Sequence, residues 1–159
     1  MRSIYQVLGE RLGYARMLKF MWLYPPYLGA GVRVIEVDDS LRRVTVAMKL
    51  TSWNQNYLGT QFGGSMYSMV DPFFMIMVMM RLGKGYVVWD KSASIRFVKP
   101  GRKEVRATFE LTDERLEMIR REVDEKGKSE PQFTVEIKDT DGLLVAQVEK
   151  WVHVHKARE

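Results

Sequence analysis

The sequence has no cysteine and only two histidines among its 159 residues. The lack of cysteine excludes disulfide bridges, thiol nucleophiles and cysteine-ligated zinc or iron–sulfur centres. The histidines, His153 and His155, lie two positions apart on one face of a predicted strand near the end of the chain. With no third histidine to complete a ligand set, we predict no metal site.

Long apolar runs are also missing. The longest, Pro72–Met80, has nine residues between Asp71 and Arg81, whereas a membrane-spanning helix needs about 20. A signal-peptide core is interrupted near the N-terminus by four charged residues: Glu10, Arg11, Arg16 and Lys19. We therefore expect a cytoplasmic protein without a membrane span.

An excess of basic residues is present but small. The 25 lysines and arginines against 20 acidic residues give a formal net charge of +5. Because bases and acids alternate, as in Glu114-Arg115, we predict a solvated surface and no nucleic-acid binding. A basic cluster near a predicted turn is most simply solvated surface, although the phosphates of CoA are an alternative partner: Arg96, Lys99, Arg102 and Lys103.

The composition, 46% hydrophobic and 28% charged, is that of a globular chain, and we predict a single domain over residues 1–159. Apolar residues at helical spacing over 3–23 predict an N-terminal helical segment, residues 1–24, packed on this domain. We expect Pro25-Pro26 to end that segment. A short surface helix is predicted over 113–123, with Thr112 as its cap.

Strand patterns surround one buried helix. The stretch Ser65–Leu82 is apolar on nearly all sides, and Pro72 predicts a kink beside Asp71. A hairpin precedes the helix and four longer strands follow it. The six predicted strands are Val32–Val37, Val44–Leu50, Tyr86–Val98, Glu104–Leu111, Phe133–Lys138 and Leu143–His155. This order predicts a curved antiparallel sheet wrapped around a central helix.

The segment that opens the central helix carries the chemistry. Gly63-Gly64 stands at its start, where unbonded backbone N–H groups can donate hydrogen bonds to an oxyanion. Asp71 follows inside the helix, where we expect a buried carboxylate that is costly unless something pairs with it or uses it. Together they predict an acyl-transfer site with an oxyanion acceptor and a base or nucleophile. Six of eleven methionines lie in this region, either as core packing or as a pocket lining.

Five residues of this segment reproduce a known spacing: Asn56, Gly59, Gly63, Gly64 and Asp71. In this respect the chain resembles the hotdog-fold thioesterase superfamily, specifically acyl-CoA thioesterases of the phenylacetate-degradation type. It is still more similar to a thioesterase-like branch that lacks the motif histidine and has an Asp-Pro pair. The resemblance implies an α+β hotdog fold, with about six antiparallel strands around one helix.

The resemblance also implies roles for individual residues. Asp71 would be the catalytic carboxylate, and the amides of Gly63 and Gly64 would stabilise the oxyanion. Asn56 would orient water or the carbonyl, or hold the loop. Sites of this family form between two subunits, which implies a homodimer or a dimer of dimers, with acyl-CoA as substrate or ligand and no cofactor. The substrate contacts that we expect are Phe62, Met66, Tyr67, Arg96 and Lys99.

Phe62 departs from the family pattern, because it occupies a position that is often histidine. Two functions therefore stay open: an acyl-CoA thioesterase, and a non-catalytic module that binds acyl-CoA or a fatty acyl group. A hydratase or dehydratase fits less well, since His153 and His155 are distant in sequence. Structural interpretations also compete at the site: an ion-paired Asp71, close-packing glycines and Asn56 as a turn residue. Of Asp90-Lys91, one side chain should face inward, in an interfacial ion pair or beside the site.

Overall fold

The computed structural model describes residues 4–157 of the chain. Its N-terminal part is helical: α1 (Ile4–Leu12), α2 (Tyr14–Lys19), a 3-10 turn (Met21–Leu23) and α3 (Pro25–Ala30). The expectation that Pro25-Pro26 ends the helical segment is wrong, because the two prolines begin α3 instead. A proline suits the first turn of a helix, where its missing N–H would have no partner. Residues 1–3 of the predicted segment lie outside the described residues.

The rest of the chain forms one antiparallel sheet and three further helices. The strands are β1 (Val32–Val37), β2 (Arg43–Met48), β3 (Tyr86–Phe97), β4 (Val105–Glu110), β5 (Lys128–Ser129), β6 (Gln132–Asp139) and β7 (Leu144–Lys156). The helices are α4 (Gly63–Ser68), α5 (Phe73–Leu82) and α6 (Asp113–Lys126). The order across the sheet is β1-β2-β4-β6-β7-β3, and the short β5 pairs with the end of β7. The predicted α+β architecture of about six strands around a central helix is confirmed.

Most predicted boundaries agree with the observed ones to within one or two residues. The sequence did not indicate β5, which has only two residues. The surface helix α6 runs three residues beyond Val123, to Lys126, and ends where Gly127 adopts φ 76°. Its predicted cap is confirmed, because the Thr112 Oγ1 accepts a hydrogen bond from the Arg115 amide at 3.2 Å.

The core lies between the sheet and α5. Phe73 of α5 packs on Phe109 of β4, with ring centroids 5.0 Å apart. Phe74 stacks on Phe133 of β6, at 4.4 Å. Aromatic pairs at these separations add to the free energy gained by burying their area. The opposite side of α5 is only partly buried in the single chain, through Met75, Ile76, Met79 and Met80.

The central helix is broken, as Pro72 predicts. Helix α4 ends at Ser68 and α5 begins at Phe73. Between them the Val70 amide donates to the Tyr67 carbonyl at 3.0 Å, and the Asp71 amide donates to the Ser68 carbonyl at 3.3 Å. These bonds reach back three residues rather than four, so the chain tightens before the proline. Asp71 therefore lies in the link between two helices.

None of the helices between residues 4 and 157 combines the length and the hydropathy that crossing a bilayer requires.

Replacing a methionine should reveal how much α5 contributes to stability. Met77 of α5 is fully buried, so we expect Met77→Ala to reduce the free energy of unfolding by about 2–5 kcal/mol. The matched control is Met118→Ala in α6, where the side chain is 53% exposed and the change should stay within about 0.5 kcal/mol. Chemical denaturation of both variants measures the difference, and equal losses would contradict this assignment of the core.

Candidate active site

Asp71 is presented by the helix break rather than buried in a helix. Its side chain is 50% exposed, so the expectation of a buried carboxylate is wrong. The reason is local, because the link before Pro72 turns Asp71 away from the apolar faces of α4 and α5. The competing structural interpretation, an ion-paired Asp71, agrees with the structure, and the partner comes from the sheet.

That partner is Lys150 of β7, whose side chain is completely buried. Its Nζ lies 3.2 Å from Asp71 Oδ1 and 2.9 Å from Asp90 Oδ2, and it also donates to the Asp71 backbone carbonyl. The sequence reasoning missed Lys150. The signal was the alternation of β7, in which Lys150 occupies an inward-facing position between the buried Val148 and Val152.

Asp90 is the inward-facing member of the Asp90-Lys91 pair. Strand β3 shifts register against β7 between Asp90 and Ser92. Lys91 points the other way and binds Glu130, with Nζ and Oε2 2.6 Å apart. Burial raises the pKa of Asp90, although its hydrogen bond with Lys150 opposes the shift. Its Oδ1 is buried without a hydrogen-bond partner among the described residues.

Tyr67 completes the surroundings of Asp71. It lies one turn earlier, and its hydroxyl donates to Asp71 Oδ1 at 3.4 Å. Burial and the neighbouring Asp71 raise the pKa of Tyr67, so the hydroxyl keeps its proton and remains a donor. Oδ1 thus receives Lys150 and Tyr67, whereas Oδ2 makes no polar contact within residues 4–157 and belongs to a half-exposed side chain.

Gly63 and Gly64 are the first two residues of α4, as expected, and the helix has no side-chain cap. The first N–H groups of a helix have no acceptor within it. Two aromatic rings also approach the glycines closely. A Cβ on Gly63 would lie 2.9 Å from the Phe97 ring, and one on Gly64 would lie 2.6 Å from the Phe62 ring. At this turn, therefore, the same two glycines begin the helix with their backbone N–H groups and pack closely against aromatic rings.

Asn56 holds the loop that leads to the glycines. Its Nδ2 donates to Thr60 Oγ1 at 2.9 Å, and its Oδ1 accepts from the Leu58 and Thr60 amides at 2.9 and 3.1 Å. The Asn56 side chain therefore makes these hydrogen bonds within its own turn. The observed contacts thus favour loop-holding over the orientation of water or substrate.

Two further amides, which the sequence reasoning missed, tie this loop to the body of the protein. Buried Asn54 donates to the Ala30 and Lys49 carbonyls at 2.8 and 2.7 Å. Buried Gln61 donates to the Met48 and Lys103 carbonyls at 3.1 and 3.0 Å. Each of these two buried side chains donates two hydrogen bonds to backbone carbonyls, which holds the loop against the body of the protein. The glycine turn therefore has a defined position.

A pocket of about 400 Å³ opens beside the glycine turn. Of the predicted site residues, Asn56, Gly63, Met66 and Lys99 line it, and Asp71 does not. Its remaining lining is Leu58, Thr60, Gln61, Phe97, Val98, Pro100, Gly101 and Arg102. One chain therefore brings the glycine turn to a pocket and places the carboxylate elsewhere.

The other predicted substrate contacts lie outside the pocket. Phe62 is 53% exposed, and Tyr67 lies beside Asp71 rather than in the pocket. Arg96 donates to Gln147 Oε1 at 2.8 Å and does not line the pocket. Of the basic cluster, Lys103 binds Asp141, whereas Lys99 and Arg102 line the pocket.

The two histidines belong to an aromatic cluster on the sheet. The His153 ring stacks on Trp89 with centroids 4.3 Å apart, and its Nδ1 lies 3.0 Å from Glu130 Oε1. Hydrogen bonds from Lys91 and His153 lower the pKa of Glu130 to about 2. Across residues 4–157, no group of three or more His, Cys, Asp or Glu side chains is arranged to hold a metal ion.

Solved structures share this architecture. PA5026 from Pseudomonas aeruginosa, described as a probable thioesterase, superposes with a TM-score of 0.78 at 17% identity, over 89% of this chain and 95% of that one. Thioesterase HI1161 from Haemophilus influenzae gives 0.66 at 12% identity, over 91% and 92%. PaaI from the Escherichia coli phenylacetic acid degradation operon gives 0.56 at 20% identity, over 81% of each chain. The predicted hotdog fold is confirmed.

No curated protein sequence matches the chain significantly. A family model does match, and its description is that of a domain of unknown function, DUF4442. The match runs over residues 14–154, which takes in α2 through nearly all of β7 and includes both the glycine turn and Asp71. The chain is therefore a member of the DUF4442 family, and its domain has the hotdog fold.

Proposed function

We propose that the protein is an acyl-CoA thioesterase that hydrolyses its substrate at a site shared between two copies of the chain. The observation that carries the proposal is the hydrogen bonding and exposure of the Asp71 carboxylate. One carboxylate oxygen is held by Lys150 and Tyr67, and the other, on a half-exposed side chain, has no polar partner in the part of the chain that the structure describes. A fold in common with proteins named as thioesterases adds support.

The chemistry requires a carboxylate and a place for negative charge. In one route Asp71 Oδ2 takes a proton from a water molecule whose oxygen bonds to the thioester carbonyl carbon. In the other, Oδ2 itself attacks that carbon, and water later releases the acyl group. In both, the C–S bond breaks and the thiolate leaves. The Gly63 and Gly64 amides would stabilise the oxyanion, and loss of one such donor typically costs about 10²–10³ in rate.

The lining of the pocket supports a shared site, because it includes Gly63 and does not include Asp71. In this proposal a second copy supplies the carboxylate. Surfaces suited to a second copy are present: β3 is the edge strand of the sheet, and Trp53 and Tyr57 of the glycine loop are almost fully exposed. Exposed apolar side chains and an open edge strand are typical of interfaces. A homodimer, or a dimer of such dimers, satisfies this requirement.

The pocket composition fits an acyl-CoA. Met66 and Phe97 offer apolar surface to an acyl chain or a pantetheine arm. Lys99 and Arg102 line the same pocket and form no ion pair with another described residue. Cations placed in this way suit phosphate groups. We therefore propose Met66, Phe97, Lys99 and Arg102 as substrate contacts, with Arg96 engaged by Gln147 instead.

A non-catalytic acyl-CoA binding module is the second candidate. It is favoured by Phe62, an apolar and half-exposed side chain at a position where the resembling thioesterases often carry histidine. Phenylalanine neither transfers protons nor hydrogen-bonds a carbonyl. The pocket and its cations would serve this function without Asp71 taking part in a reaction.

Replacing Asp71 tests catalysis. We expect Asp71→Asn to reduce thioester hydrolysis by about 10²–10⁴, because the amide neither accepts a proton readily nor attacks a carbonyl. Thiol release from short-, medium- and long-chain acyl-CoAs measures the rate, and size and circular dichroism check assembly and folding. The matched control is Asp39→Asn in the exposed β1–β2 turn, which should retain full activity. Undiminished turnover by Asp71→Asn would exclude the catalytic role, and thermal stabilisation without thiol release would support the binding module.

Mixing two inactive variants tests the shared site. Asp71→Asn removes the carboxylate, and Gly63→Val forces a side chain against Phe97, so each homodimer should be inactive. In a heterodimer, one site would combine the intact loop of one copy with the intact Asp71 of the other. Co-refolded equal mixtures should therefore recover about a quarter of the wild-type activity if the dimer is symmetric. Recovery of no activity from correctly assembled heterodimers would contradict a site built from two copies.

A further inference from the structure

We propose that Lys150 is a positioning residue for Asp71, and that Asp90 is the counter-charge that regulates its effect. The buried ammonium holds one oxygen of the Asp71 carboxylate, so that the other oxygen is left for the substrate. This inference rests on the proposed hydrolysis at Asp71 and adds two residues to its machinery.

The placement of Lys150 is unusual for a lysine. Its side chain is fully buried on the inward face of β7, in line with Val148 and Val152. A buried ammonium is costly unless it is paired and fully hydrogen-bonded. An ammonium has three N–H donors, and three oxygens receive them: Asp71 Oδ1, Asp90 Oδ2 and the Asp71 backbone carbonyl. Every donor is used, and two of the three acceptors belong to Asp71.

This arrangement fixes Asp71 at two points. The bond to the backbone carbonyl holds the helix link before Pro72, and the bond to Oδ1 holds the side chain. Tyr67 adds a hydrogen bond to the same Oδ1. Since the fixed contacts all fall on one side of the residue, Oδ2 is the oxygen left for chemistry. A reacting group held in this way loses little freedom when substrate arrives.

Four titratable side chains on four elements surround Asp71 among the described residues. Lys150 lies on β7, Asp90 on β3, Tyr67 on α4 and Tyr27 on α3. Burial raises the pKa of both tyrosines, and Asp71 raises it further, so both hydroxyls are neutral near pH 7. Among these groups, therefore, one ammonium serves two carboxylates that lie no more than roughly 6 Å apart.

Removing each partner of Asp71 should have opposite effects. Without the ammonium, Asp71 would face only Asp90, and protonation would become easier. Without the Asp90 charge, the ammonium would act on Asp71 alone, and protonation would become harder. An opposite charge within about 4–6 Å typically displaces a carboxylate titration by one to three pH units. General damage to the fold would not produce two displacements of opposite sign.

The test is the pH profile of kcat/KM for thioester hydrolysis by the full chain. In Lys150→Met the acid limb should move to higher pH by about one unit or more. In Asp90→Asn it should move to lower pH. The matched control is Lys156→Met on the same strand, whose exposed Nζ pairs with Asp124 far from the site and whose profile should not change. Acid limbs that stay in place in both site variants would overturn the proposal.

A second measurement separates this inference from the proposed function. The side-chain carboxyl carbon of Asp71 changes its NMR chemical shift on protonation, and assigned spectra follow that shift against pH. The titration curve should move to higher pH in Lys150→Met and to lower pH in Asp90→Asn. If the wild type hydrolyses no acyl-CoA, the proposed function fails while these curves still decide the role of Lys150. If Lys150→Met does not fold, Lys150→Gln, which keeps an N–H donor and removes the charge, replaces it, and an unmoved curve there overturns the inference.

Discussion

The candidate site depends on one buried ammonium at the junction of the sheet and the broken central helix. Lys150 arrives from β7, Asp90 from β3, and Asp71 from the link between α4 and α5. A charge on the inward face of a strand is tolerated only when oxygens surround it. The helix break provides two of those oxygens, a side-chain one and a backbone one. The interaction thus satisfies a lysine in the core and orients a carboxylate at the surface.

Only part of the proposed catalytic machinery lines the pocket of one chain. The glycine turn, tied down by Asn54 and Gln61, faces a pocket with cations at Lys99 and Arg102. Asp71 does not line that pocket, and its half-exposed side chain lies near the edge strand β3. A second copy is the simplest way to reunite them. In the proposed dimer, the second copy would also bury apolar surface that one chain leaves exposed: Trp53, Tyr57 and the partly buried side of α5.

Local signals explain what could be predicted. Pro72 broke the helix where expected, and Thr112 capped α6 as expected, because both effects act within one turn of chain. Strand limits followed from alternation and turn residues. Pro25-Pro26 was misjudged, since a proline ends one helix or begins another equally well by local rules. The exposure of Asp71 was misjudged because an apolar neighbourhood in sequence does not show how a kink rotates one residue.

By itself the sequence determined the order of the main strands and helices, a curved antiparallel sheet around one helix and the positions of Gly63, Gly64 and Asp71, since periodicity, breakers and spacing are properties of neighbouring residues. Only the tertiary structure decided which groups meet. Lys150 and Asp71 are 79 positions apart along the chain, and their contact exists because β7 lies beside β3 under the broken helix. That Gly63 lines the pocket and Asp71 does not was decided in the same way, because the packing of distant segments determines which residues border a cavity.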